Sequence, residues 1–230
     1  MNLSAVNKKN AVTDWVALWQ RHRGKTALCV CSGPSAAMVS PDGIPHDFSI
    51  GANYSYRTHE NLDYLVSVDR RVWKDANRPK KIKMLGGYLN DRERKAVLAA
   101  GAFCAFPHPG LGWTYYRRGH DLPTSGNSGM AALTLAYYMG ARKIIVIGMD
   151  FCASGGNIHC YAEPPQKVRQ LQNIFQKIML PRIQIHLLFF LIHCHATGVA
   201  VENASPIREQ SPLEFDIRKY LEKTGYKGIN

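Results

Sequence analysis

Short, almost unbroken apolar runs recur along this chain, and each ends in small polar residues ahead of a stretch of helix formers. The clearest is Thr26-Ala27-Leu28-Cys29-Val30-Cys31, which runs into Ser32-Gly33-Pro34-Ser35. Strands covered on both faces read as continuous apolar runs, whereas half-exposed strands alternate. Runs of the same kind lie at 48–52, 64–68, 82–85, 103–106, 144–147 and 199–201. Between them, 91–100 carries Arg94, Lys95, Ala96, Leu98 and Ala99 and stops at Gly101, a residue suited to the left-handed end of a helix. The stretch 128–139 repeats that logic and stops at Gly140. Alternating strand and helix signals predict an α/β fold with one doubly wound, mostly parallel, Rossmann-like sheet and helices on both faces. Further helices are expected at 12–20, at 166–181, at 183–197 after a break at Pro181, and at 213–223. Residues 1–230 read as one domain, with a lid loop expected at 107–123, a long irregular stretch rich in Gly, Tyr and Arg.

Composition excludes several classes. Apolar residues make up 46% of the chain and charged residues 20%, which argues against a disordered or fibrous protein. Residues 1–10 are polar and contain Lys8 and Lys9 with no apolar run behind them, so they do not resemble a secretory signal, and a cytoplasmic location is expected. The apolar run between His186 and His193 is far shorter than the roughly 20 residues of a membrane span. It predicts a buried helix whose histidines sit at its boundary. The six cysteines include no Cys-x-x-Cys pair, so reduced thiols are expected. Cys152, His159, Cys160, His193, Cys194 and His195 are zinc-ligand types, but their spacing matches no standard zinc site.

Net charge is +12, with a concentration at Arg70, Arg71, Lys74, Arg78, Lys80, Lys81 and Lys83. Such a run is ordinarily a solvated face, and it also attracts anions. Trp73 is its only aromatic, so the stacking platform of a nucleic-acid binder is nearly absent and a nucleic-acid partner is weakly supported.

Two loops carry the chemistry. In Ser32-Gly33-Pro34-Ser35, Gly33 permits close backbone approach, Pro34 suits a first helical turn, and Ser35 offers a hydroxyl at a helix start. In Thr124-Ser125-Gly126-Asn127-Ser128-Gly129, hydroxyls and an amide precede another helix. In a parallel sheet both loops fall at carboxyl ends of strands, where free N–H groups favour an anionic ligand. The expected ligand is a small-molecule nucleotide held between them. Each loop alone also fits a plain strand-to-helix turn or an N-cap.

Val30-Cys31-Ser32-Gly33-Pro34-Ser35, Gly51-Ala52-Asn53-Tyr54, Thr124-Ser125-Gly126 and Ile144-Ile145-Val146-Ile147-Gly148-Met149-Asp150-Phe151 follow one another in an order that resembles two related groups. One is the bacterial family 42 sialyltransferases, which use a cytidine-monophosphate (CMP) sugar. The other is the archaeal-type 6-hydroxymethylpterin diphosphokinases with their phage and bacterial relatives. Val201-Glu202-Asn203-Ala204-Ser205-Pro206 extends the resemblance toward the end of the chain.

The resemblance implies a nucleotide-dependent transferase that takes a CMP-type sugar donor and an anionic or glycan acceptor. It implies that Ser32, Gly33, Pro34 and Ser35 lie against the nucleotide, that Asn53 bonds the donor, that Thr124, Ser125 and Gly126 meet the base, and that Asp150 sits at a strand end near the cleft as part of the nucleotide site. Two positions depart from the sialyltransferase pattern: Leu122 and Pro123 stand where an Arg precedes Thr-Ser-Gly, and Cys152 stands where a Tyr follows Asp-Phe. Inversion at the sugar needs a general base and a cation at the departing phosphate. His159, Tyr161 and Arg118 are the candidates, with Arg117 and His120 beside Arg118. The diphosphokinase alternative instead has Asp69 and Asp150 hold Mg²⁺ on ATP. A third reading keeps the cleft without catalysis, as a nucleotide- or nucleic-acid-binding protein. Oligomeric state is left open, a homo-oligomer included.

Overall fold

The computed structural model describes residues 15–107, 122–151, 154, 159–160, 180–207 and 213. Seven strands form a single sheet: β1 (Thr26–Val30), β2 (Phe48–Ala52), β3 (Tyr64–Ser67), β4 (Lys83–Tyr88), β5 (Cys104–Pro107), β6 (Lys143–Ile147) and β7 (Ala200–Asn203). Their spatial order is β5-β4-β3-β2-β1-β6-β7, and every pairing is parallel. The chain therefore builds outward from β1 in one direction, then crosses back to add β6 and β7 on β1's other side. That reversal opens a crevice at the carboxyl ends of β1 and β6.

Strand periodicity explains why both faces are apolar. Ala27 and Cys29 of β1, Phe48 and Ile50 of β2, and Ile144 and Val146 of β6 enter one core, while Leu28, Val30, Ile145 and Ile147 enter the other. The first core is covered by α3 (Ser128–Tyr138) and by α4 (Leu180–Ala196). The second packs against Val72 and Trp73 of α1 (Arg70–Trp73) and Val97 of α2 (Asp91–Ala99). Helices thus lie on both faces, as the alternating pattern predicts.

Helix α3 is buried along its whole length apart from Tyr137, and it packs on β1, β2, β3 and β6 as well as on α4. A helix apolar all round belongs inside a fold. It starts at Asn127, whose Oδ1 accepts the N–H of Met130 at 3.0 Å.

Local differences from expectation have simple causes. The amphipathic stretch expected as a helix at 12–20 forms a short 3₁₀ turn at Trp15–Leu18, and residues 12–14 lie outside the described residues. Trp15 stacks at 4.4 Å on Tyr138, so tertiary packing rather than helical length holds it. Helix α4 is described from Leu180 onward, and the stretch that the break expected at Pro181 would separate from it lies outside the described residues. The helix expected over 166–179, the terminal helix from 214 onward, and 108–121 of the expected lid lie outside the described residues. Among the described residues, no helix is long and apolar enough to cross a membrane, and Cys29, Cys31, Cys104, Cys160 and Cys194 are free thiols.

Leu133, fully buried on α3, spans the contact between helix and sheet. Leu133→Ala is expected to lose about 2–5 kcal/mol of unfolding free energy. A urea midpoint that falls at unchanged slope would bear this out; an unmoved midpoint would show that the helix does not stabilise the sheet.

Candidate functional site

The crevice is built from backbone first. Beyond β1, Cys31 N–H donates to Ile147 O at 2.8 Å and Gly33 N–H to Gly148 O at 2.7 Å, so the ladder between β1 and β6 continues into both loops. Gly33 is required here: a Cβ at that position would lie 2.5 Å from Gly148 O and 2.7 Å from the Asp150 carboxylate. Gly148 has φ +74°, and a Cβ there would meet Ala36 Cβ and Cys31 O at 2.8 Å.

Asp150 closes this junction. Its Oδ2 accepts the N–H of Ser35 at 2.6 Å, and the residue is 1% exposed. Burial pushes its carboxyl above the usual aspartate range, against the downward pull of the Ser35 bond. Pro34 opens the 3₁₀ turn Pro34–Ala37, and Ser35 Oγ accepts the N–H of Ile207 at 3.1 Å. Ser32 Oγ donates to Ala52 O at 2.8 Å, tying the β1 loop to the end of β2. The groups expected to cradle a phosphate are thus largely engaged with the protein itself. The donors of Gly33 and Ser35 join β1 to β6, and the Ser32 hydroxyl joins β1 to β2.

The second predicted loop meets the first. Gly129 lies so close to the β1 loop that a Cβ on it would stand 3.1 Å from Cys31 Sγ and 3.0 Å from Met149 Cε. Ser128 Oγ accepts the N–H of Val68 at 3.0 Å, which pins the start of α3 to the end of β3. The turn ahead of it is closed by Asn127 N–H to Thr124 O at 2.8 Å and by Gly126 N–H to Thr124 Oγ1 at 3.3 Å. Ser125 and Gly126 both take positive φ, +53° and +68°. Gly126 is exposed, while Ser125 is buried and its Oγ has no hydrogen-bond partner among the described residues.

Asn53 follows β2 with φ +52°, and its Oδ1 accepts the Ser67 hydroxyl at 2.8 Å. That bond orients the amide and leaves its NH₂ as the group able to donate outward. Four non-glycine residues among those described have positive φ, and three of them, Asn53, Ser125 and Phe151, follow β2, precede α3 and follow β6. Left-handed backbone costs of order 1 kcal/mol at a non-glycine residue and collects at functional sites.

Of the catalytic candidates, His159 is brought to this region. Cys160 donates its N–H to Ser32 O at 2.8 Å, which holds the 159–160 segment on the β1 loop. Tyr161, Arg117, Arg118, His120 and Cys152 lie outside the described residues. Asp69, offered as a metal ligand, caps α1 and holds Arg71: Oδ1 accepts the Arg71 N–H at 2.9 Å and Oδ2 its guanidinium at 2.6 Å. A Mg²⁺ site needs carboxylate oxygens turned to the ion and room for its waters. Asp69 paired with Arg71 and Asp150 sealed against Ser35 do not fit one, and no cluster of three metal-ligand side chains occurs among the described residues.

The fixed part of the site reaches further than the sequence reading saw. Ser205 Oγ accepts the N–H of Gly148 at 3.0 Å, and Asn203 Oδ1 accepts that of Ser205 at 3.1 Å. These residues, at the end of β7 and just beyond it, position the β6 loop. The Asn-Ala-Ser-Pro sequence following an apolar run was the available signal.

No family model and no curated protein matches this chain. A crystal structure of a mammalian sialyltransferase is similar to it with a TM-score of 0.41 and 12% sequence identity, over 66% of this chain and 67% of that one.

Asp150 supplies a pH test. A folded-state pKa above the ordinary value means that the native protein binds its proton more tightly than the unfolded chain, so stability falls as pH rises through that window. Asp150→Asn removes the ionisation. The wild-type stability minus that of the variant is therefore expected to decline from about pH 4 upward. Urea midpoints across pH check it, and a flat difference would mean that Asp150 titrates normally.

Proposed function

We propose that this protein is a nucleotide-dependent glycosyltransferase whose donor is a CMP-type sugar. The observation that carries the reading is the set of left-handed residues Asn53, Ser125 and Phe151 in loops after β2, before α3 and after β6, with the buried, unpartnered Ser125 hydroxyl among them. A hydroxyl held away from water without a partner loses about 1–3 kcal/mol until something bonds it. A ligand entering the switch-point crevice would supply that bond.

Charge favours this donor over ATP with Mg²⁺. The groups left to face a ligand, Ser125 Oγ, the Asn53 amide and the exposed Gly126 backbone, are neutral and small, suited to the edges of a base and a ribose. A triphosphate needs cations or metal-bearing carboxylates, and Asp69 and Asp150 are already engaged. The motif order shared with family 42 sialyltransferases supports the same donor. In the reaction, His159 would take the proton of an acceptor hydroxyl as its oxygen attacks the anomeric carbon and cytidine monophosphate departs. Ser32, Gly33, Pro34, Ser35 and Asp150 would act by fixing the loops, and Thr124 by shaping the turn that carries Ser125.

Calorimetry with cytidine monophosphate in the presence of a chelator is expected to show binding without metal. Ser125→Ala and Asn53→Ala should each weaken it by about 5- to 30-fold, the worth of one hydrogen bond in a desolvated site. His159→Ala should leave that affinity intact and slow transfer by about a hundredfold or more. Binding of ATP only with Mg²⁺, and none of cytidine monophosphate, would move the assignment to diphosphate transfer.

A further inference from the structure

The basic run between Arg70 and Lys83 does not form one surface. Arg70 pairs with Glu93 and Arg71 with Asp69. Arg78 turns inward and donates to the carbonyls of Trp73 and Ala100. Lys81 and Lys83 instead reach the opposite end of the sheet, where they line a cavity of about 430 Å³ at the amino ends of β2, β3 and β4.

Its other cation is Arg21, from the segment before β1. Among the described residues, Arg21, Lys81 and Lys83 form no ion pair with a carboxylate. Lys81 Nζ bonds the Asn61 side chain at 3.0 Å, and Lys83 Nζ stands 5.7 Å from the Tyr64 ring and 5.8 Å from that of Phe103. The two carboxylates in the lining are turned to backbone. Asp47 Oδ2 accepts the N–H of Thr26 at 2.7 Å, and Asp63 Oδ2 accepts the N–H of Ser49 at 2.8 Å and its hydroxyl at 3.1 Å. His22 stacks on Phe48 at 4.1 Å and bonds the Tyr64 hydroxyl at 3.0 Å, forming a rigid wall. Burial together with the charges of Lys25 and Arg21 lowers its pKa, against the upward pull of Asp63, so the cations offered to an anion here are Arg21, Lys81 and Lys83.

We infer that this cavity is a second binding site, for a small phosphate-bearing anion, separate from the crevice at the carboxyl ends. Its volume is that of a small-molecule pocket, and three cations converge where two carboxylates are already engaged with backbone donors. The two sites lie at opposite ends of the same strands, so occupation of one does not block the other.

Pyrophosphate is the probe, titrated calorimetrically into the full chain with cytidine monophosphate at saturating concentration. Binding is expected to persist, to weaken as salt rises, and to fall about fivefold or more in Lys83→Gln and again in Arg21→Gln with Lys83→Gln. Inorganic phosphate should bind more weakly at the same site. Both substitutions are at exposed side chains, and an unchanged urea midpoint establishes that the variants fold. No pyrophosphate binding, or binding that these variants leave unmoved, overturns the site. Because Lys81, Lys83 and Arg21 take no part in the nucleotide crevice, a failure here leaves the transferase reading standing, and a failure of cytidine monophosphate to bind leaves this one standing.

Discussion

One short hydrogen bond organises the carboxyl end of this sheet: the Asp150 carboxylate receiving the N–H of Ser35 at 2.6 Å. It joins the loop after β1 to the loop after β6, the two strands between which the chain reverses its direction of growth. At such a point the connections leave the paired strands toward opposite faces of the sheet, and the backbone groups of the loops need partners beyond the regular ladder. Here Asp150, Gly148 and Ser205 receive or supply those bonds from side chain and main chain alike. The carboxylate is buried to do this, which burial opposes, and its Oδ1 has no partner among the described residues.

Much of this architecture could be read from the residues alone. Apolar runs marked all seven strands, most plainly β1, β2, β3 and β6, because a parallel strand covered on both faces has no polar face to interrupt it. Their parallel pairing and the two-sided helix cover followed from the alternation of patterns. What escaped was decided by tertiary contact: the 3₁₀ turn at Trp15–Leu18 is set by packing on Tyr138, and the four-residue α1 is too short for any periodicity to show.

The loops that the sequence singles out meet at the carboxyl end of the sheet, and several of their polar groups find partners within the protein. Ser32, Gly33 and Ser35 look like ligand contacts because small polar residues after a strand are the mark of a phosphate-binding turn. The same residues are needed to join the loops of neighbouring strands, and only the partners of each N–H and hydroxyl distinguish the two uses. The structure assigns the Gly33 and Ser35 donors and the Ser32 hydroxyl to joining. Asp69 likewise stands at a strand end, as expected, but Arg71 two residues later claims it, a local pairing that a search for distant carboxylates overlooks.

The division between fixed and facing groups explains how the left-handed residues persist. Ser125 stands immediately before the turn that starts α3, and α3 is anchored by Ser128 on Val68, by the close approach of Gly129 to Cys31, and by a face buried on four strands. Asn53 is held by Ser67 at the end of the neighbouring strand. In each case the strain is local and the restraint comes from elements far away in sequence, so the backbone cannot relax without undoing helix and sheet packing together. Under the proposed function such a site is preorganised: the Ser125 hydroxyl and the Asn53 amide would hold their positions before a ligand arrived, leaving little ordering for binding to oppose.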